Sequence, residues 1–198
     1  MENSALEWDQ GVARASAPHA IIMVAFILAF SIWFGFAWGT AGWVLFAVAM
    51  IGAVYILVGS LKNRQLSKSI GNDKTSEVSR IERSIGFLVG VTYATILIVV
   101  ILLFVLEVAI FIVPFITLVM GIHFLLQAPI MNRRFDYYIA PLPLISSCIA
   151  AYFAFQPDAS VYMVFAIAGI GGAAAALIYG FYVIDIYKKS VEAKRAAS

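Results

Sequence analysis

Long apolar runs alternate with short polar windows along this chain, and the windows hold every basic side chain. Arg14 lies in the first window; Lys62, Arg64, Lys68, Lys74, Arg80 and Arg83 form the second; Arg133 and Arg134 the third; Lys188, Lys189, Lys194 and Arg195 the fourth. Gaps of roughly 50 residues without lysine or arginine separate the windows, and about 20 apolar residues cross a bilayer, so each gap accommodates an out-and-back pair of helices. All basic groups then fall on one side, as the bias toward positive cytoplasmic loops expects. The pattern predicts an all-α fold: a single-domain integral membrane bundle of six transmembrane helices with both termini cytoplasmic. The spans are expected near 20–38, 42–61, 85–106, 109–128, 139–155 and 160–186, with a cytoplasmic loop over 62–84.

Local signals refine these boundaries. Gly39-Thr40-Ala41-Gly42 is a short uncharged turn whose glycines permit tight geometry. Trp33, Trp38 and Trp43 crowd around it, as indoles do at a membrane interface. The stretch Ile85–Ala128 contains one charge, Glu107. As one straight helix it would measure about 66 Å at 1.5 Å per residue, twice the ~30 Å hydrocarbon core. It must fold back, and Glu107 marks the expected outer turn. Pro114 then falls in the first turn of helix four, where a missing N–H is harmless. Val78, Ile81 and Ile85 share a helix face, so helix three is expected to begin before the bilayer, capped by Asp73 or Thr75.

Composition agrees with this division. The chain is 63% hydrophobic and 12% charged, against about 45–50% and 25% for soluble domains. A net charge of +2 is too small for a nucleic-acid surface, so no nucleic-acid partner is expected. The single Cys148 excludes an intramolecular disulfide and a multi-cysteine metal site, and it is expected to act as a small packing side chain. The acidic residues Glu2, Glu7 and Asp9 argue against a cleaved signal peptide, which opens with positive charge.

Small residues four apart mark faces where helices can approach closely, the main route to packing in lipid. Gly35 with Gly39, Gly86 with Gly90, and the row Gly172, Ala176, Gly180 are the expected contact faces. Gly169-Ile170-Gly171-Gly172-Ala173-Ala174 imitates part of a dinucleotide fingerprint. That mechanism needs a strand before the helix and an acidic residue further on, whereas here the whole segment is apolar enough to span.

One group of residues combines both charge signs with a side chain that titrates near neutrality. Met120, His123 and Gln127 share a face of helix four near its cytoplasmic end, and Arg133, Arg134, Asp136 and Asp185 are expected at the same depth. Ionisable groups within a membrane are expensive, so His123, Gln127, Arg133, Arg134, Asp136 and Asp185 form the candidate polar site. Asp185 sits at a helix C-terminus, where a carboxylate opposes the dipole and calls for a partner. Arg133 or Arg134 is the expected tether.

The block Val119-Met120-Gly121-Ile122-His123-Phe124-Leu125-Leu126, followed by a polar and aromatic loop and another span, resembles a block in a group of small bacterial multi-pass membrane proteins. There it runs close to Gly-Leu-His-Phe-Leu-Pro. The proline is missing here. The resemblance implies a bacterial inner-membrane protein and draws attention to Gly121 and His123, but it implies no activity.

No nucleophile elbow, zinc pair or phosphate loop appears, so a non-enzymatic role without cofactor or metal is expected. The leading expectation is a small-solute or ion transporter or channel, its path lined by Thr92, Thr95, Thr117, His123, Ser146 and Ser147. The alternative is a non-catalytic membrane component that binds a protein, a second copy or a lipid. An interfacial enzyme comes third.

Overall fold

A computed structural model of the protein describes residues 20–67 and 76–196. Seven α-helices and one 3₁₀ turn follow in order: α1 Ala20–Ser31, α2 Trp33–Ser67, α3 Ser76–Val105, the turn Ala109–Phe111, α4 Ile112–Ile130, α5 Phe135–Ile139, α6 Pro141–Ala154 and α7 Val161–Ala196. There is no strand among the described residues. Five helical stretches are long and apolar enough to cross a membrane, and Ala20–Ser31 is a shorter apolar helix. The fold is therefore an all-α membrane bundle. The expected caps Asp73 and Thr75 lie outside the described residues; of the loop expected over 62–84, residues 62–67 extend α2 and residues 76–84 open α3.

Gly39 divides α2 into two arms. Its φ of 58° and ψ of −133° lie where L side chains rarely go. In a straight helix residues eight apart are about 12 Å apart along the axis. Here the Gly42 Cα approaches the Phe34 carbonyl so closely that a side chain would collide with it, and Gly35 lies against the Trp43 indole. The chain has reversed. The arm before Gly39 continues α1, because Ile32 N–H bonds the Leu28 carbonyl across the small break. Counting that arm with α1, the paths through the bundle number six, as the sequence pattern predicts.

The second reversal, at Glu107, uses a left-handed cap. Val108 N–H bonds the Leu103 carbonyl and Glu107 N–H bonds the Phe104 carbonyl, with Glu107 itself at φ 59°. Asn132 repeats the geometry at the end of α4. Its φ is 47°, Arg133 N–H bonds the Ala128 carbonyl, and Asn132 N–H bonds that of Pro129. Asparagine tolerates this conformation better than most residues.

Helix α7 is the hub. Its span is 56% buried, while that of α3 is 6% buried. The run Gly169–Ala176 explains why: Gly169 lies against the Phe30 backbone carbonyl, Gly171 against Leu142 and Ser146, and Gly172 against the Phe30 ring. Those glycines serve packing, not nucleotide binding. Further along, a methyl placed on Gly180 would fall 2.6 Å from Ile56 Cδ1. Contacts Gly52–Leu177, Ile56–Gly180 and Gly59–Ile184 advance together, so the second arm of α2 runs parallel to α7. Helix α1 runs antiparallel to it, with Trp33 on Phe165 and Phe30 on Gly172.

Several expectations are corrected. Among the described residues nothing lies within 4 Å of a Cβ built at Gly86 or Gly90, so that face of α3 meets none of the described helices. Gly39 likewise meets no neighbour, and its role is the turn. Small residues permit close approach without supplying a partner. Cys148 is exposed on α6 and packs against no core. Helix five begins earlier than expected: α5 and α6 form one span, Phe135–Ala154, with a seam where Pro141 lacks an N–H.

Candidate functional site

The left-handed cap at Asn132 turns the chain so that Arg133 faces inward and Arg134 outward. Asp136, in the first turn of α5, then meets Arg133 from the same junction. Arg133 Nε donates to Asp136 Oδ2 at 3.2 Å and Nη2 to Oδ1 at 3.3 Å. Their side chains are 6% and 0% exposed. A pair this deep survives only where each charge is balanced and hydrogen-bonded.

Tyr179 of α7 completes the balance. Arg133 Nη2 donates to the Tyr179 hydroxyl at 2.9 Å, and the guanidinium carbon stands 5.4 Å from the Tyr179 ring centre and 5.5 Å from that of Tyr182. Phe135 stacks on the other ring, with centroids 3.7 Å from Tyr182. Desolvation, the largest influence on Arg133, works against its charge. The Tyr179 and Asp136 oxygens outweigh it, and the net push on its pKa is upward. The guanidinium is a fixed cation.

Gln127 links this pair to His123. Its amide nitrogen donates to the Tyr179 hydroxyl at 2.8 Å and approaches Asp136 Oδ1 at 3.4 Å. A carboxylate there requires the NH₂ edge to face it, so the amide oxygen faces His123 Nε2, 3.2 Å away. That nitrogen must then carry a proton. His123 Nδ1 is left as an acceptor in the neutral ring, and it takes the proton of Thr92 Oγ1 at 2.8 Å. One buried carboxylate thus sets the direction of a row running Thr92, His123, Gln127 and Tyr179. Because Gln127 and Arg133 both donate to the Tyr179 oxygen, the phenol's own proton is left over for a third group.

The row borders a cavity of about 30 Å³. Its walls are apolar: Phe26 from α1, Val89, Tyr93 and Ile96 from α3, and Met120 and Phe124 from α4. Thr92, His123, Gln127 and Tyr179 are its polar lining. Rings of Phe26 and Tyr93 stack across the gap between α1 and α3 at 6.3 Å. Helix α3 is the outermost wall, held by Ile81 and Ile85 against Met131, by Thr92 on His123, and by Tyr93 on Phe26.

Of the six expected site residues, His123, Gln127, Arg133 and Asp136 come together. Arg134 is exposed. Asp185 is 57% exposed and pairs with Lys189 at 2.6 Å, one helical turn on, so the expected tether to Arg133 or Arg134 is not formed. The i, i+4 spacing already offered that partner. Tyr179 is the residue the sequence reading missed. Its one signal was a phenol on the same face as the glycine row, where a hydroxyl needs a partner.

No metal-ligand cluster of three or more His, Cys, Asp or Glu occurs among the described residues. No family model matches the chain, nor does any curated protein or solved structure.

Proposed function

We propose that the protein is a non-catalytic, multi-pass component of a bacterial inner membrane that binds an amphiphile taken sideways from the bilayer. The observation that carries this reading is the cleft between α1, α3 and α4, apolar along its walls and polar at its end. Hydrocarbon belongs against Phe26, Ile96 and Met120. A hydrogen-bonding group belongs against Thr92 and His123. Segregation of all basic residues supports both termini lying in the cytoplasm, which puts the Arg133 end of the bundle inside.

A transporter or channel is the weaker reading, because its expected polar path is not assembled. Thr95 is exposed on α3. Thr117 bonds the Val113 carbonyl, Ser147 bonds Leu144, and Ser146 bonds Pro143 and Ala168. Only Thr92 and His123 of the expected path reach the cavity.

Native mass spectrometry of the protein released from lipid nanodiscs tests the reading. One amphiphile should be retained per chain. The variant Ile96→Trp, which fills the cleft, should lose it while keeping its helical content. Equal retention by both proteins would refute the proposal.

A further inference from the structure

We infer that the cleft selects a neutral hydroxyl at the end of a hydrocarbon chain, an inference that rests on the cleft being a binding site. Size comes first. A water needs about 10–15 Å³ of such space, so about 30 Å³ admits a hydroxyl with its carbon but not a phosphate head. The chain behind it would lie between α1 and α3, along Phe26, Val89 and Ile96.

Charge comes second. Arg133 already has its counter-ion in Asp136, 3.2 Å away. Among the described residues His123 is the one titratable acid–base group lining the cavity besides the two tyrosines, and its two ring nitrogens are already engaged, Nδ1 with Thr92 and Nε2 with Gln127. Among the described residues a carboxylate head would meet no uncompensated cation, and an ammonium head no carboxylate. Either would carry its full desolvation cost.

Hydrogen-bond direction comes third. In the neutral tautomer that Gln127 selects, Thr92 spends its proton on His123 and keeps lone pairs, while Tyr179 keeps its proton after accepting two bonds. A hydroxyl can donate to the first or accept from the second. A carbonyl can use only the second, and a bare alkyl chain neither.

The test is displacement of tritiated 1-hexadecanol from the full chain in phosphatidylcholine nanodiscs by hexadecanol, hexadecane, palmitate and hexadecylamine, which share one chain. Hexadecanol should compete about fivefold better than hexadecane, the worth of one net neutral hydrogen bond. The two charged chains should compete no better than hexadecane. Thr92→Val should reduce the alcohol's advantage to less than twofold without changing hexadecane, and Thr92→Ser should restore it. Palmitate or hexadecylamine outcompeting the alcohol, or alcohol and alkane competing equally, would overturn the inference while leaving the cleft as a binding site. Absence of any saturable hexadecanol binding would remove both.

Discussion

Arg133 and Asp136 stand three residues apart across the junction of α4 and α5, and both side chains point inward, with nitrogen and oxygen 3.2 Å apart. Removing one member of a buried pair leaves the other uncompensated, which typically costs about 3–5 kcal/mol. Asp136→Ala and Arg133→Ala should each destabilise the bundle by that order in mixed-micelle unfolding. The double variant Arg133→Met with Asp136→Leu should lose less than either single one. A double variant as unstable as the sum would mean that the two side chains act independently and are not coupled as a pair.

The inward turn of Arg133 depends on Asn132 at φ 47°. A β-branched residue there is strained by about 1–3 kcal/mol. Asn132→Val should therefore lower stability by about that amount, and Asn132→Gly should not. Equal stability of the three proteins would remove the cap from the account.

This dependence explains what the sequence could and could not convey. Six paths were legible because charge segregation and span length act over tens of residues, and Gly39 and Glu107 stand where the apolar runs become too long for one crossing. His123 and Gln127 were legible as a pair by their i, i+4 spacing. Which of two adjacent arginines turns inward was not, since one residue in a left-handed conformation decides it. Tyr179 was hidden for another reason. Tyr182 and Tyr187 lie on the same helix, and only the arrival of α4 shows which phenol meets Gln127. Gly86 and Gly90 had the spacing of a contact face, yet among the described residues no helix comes to meet them.

Those glycines make a controlled comparison. Gly180→Leu and Gly172→Leu insert bulk against Ile56 and Phe30, and overpacking typically costs about 1–3 kcal/mol. Gly86→Leu and Gly90→Leu face open space and should stay within about 0.5 kcal/mol of the parent in detergent. Similar losses at all four positions would contradict the placement of α7 at the centre.

Both termini are expected in the cytoplasm. A reporter active only there should signal when fused after Ser198, and stay silent when inserted at Asp158 or within Gly39–Gly42. An active reporter at either of those turns would invert or break the six-path topology.

The most direct measurement of the central claim is photolabelling in nanodiscs with a long-chain alcohol bearing a diazirine beside its hydroxyl, followed by peptide mapping. The account expects saturable labelling concentrated on Thr92, His123 and their cleft neighbours Phe26, Val89 and Met120, lost in Ile96→Trp. Labelling spread evenly over the lipid-facing residues of α2, α3 and α6, and unchanged by that substitution, would contradict it.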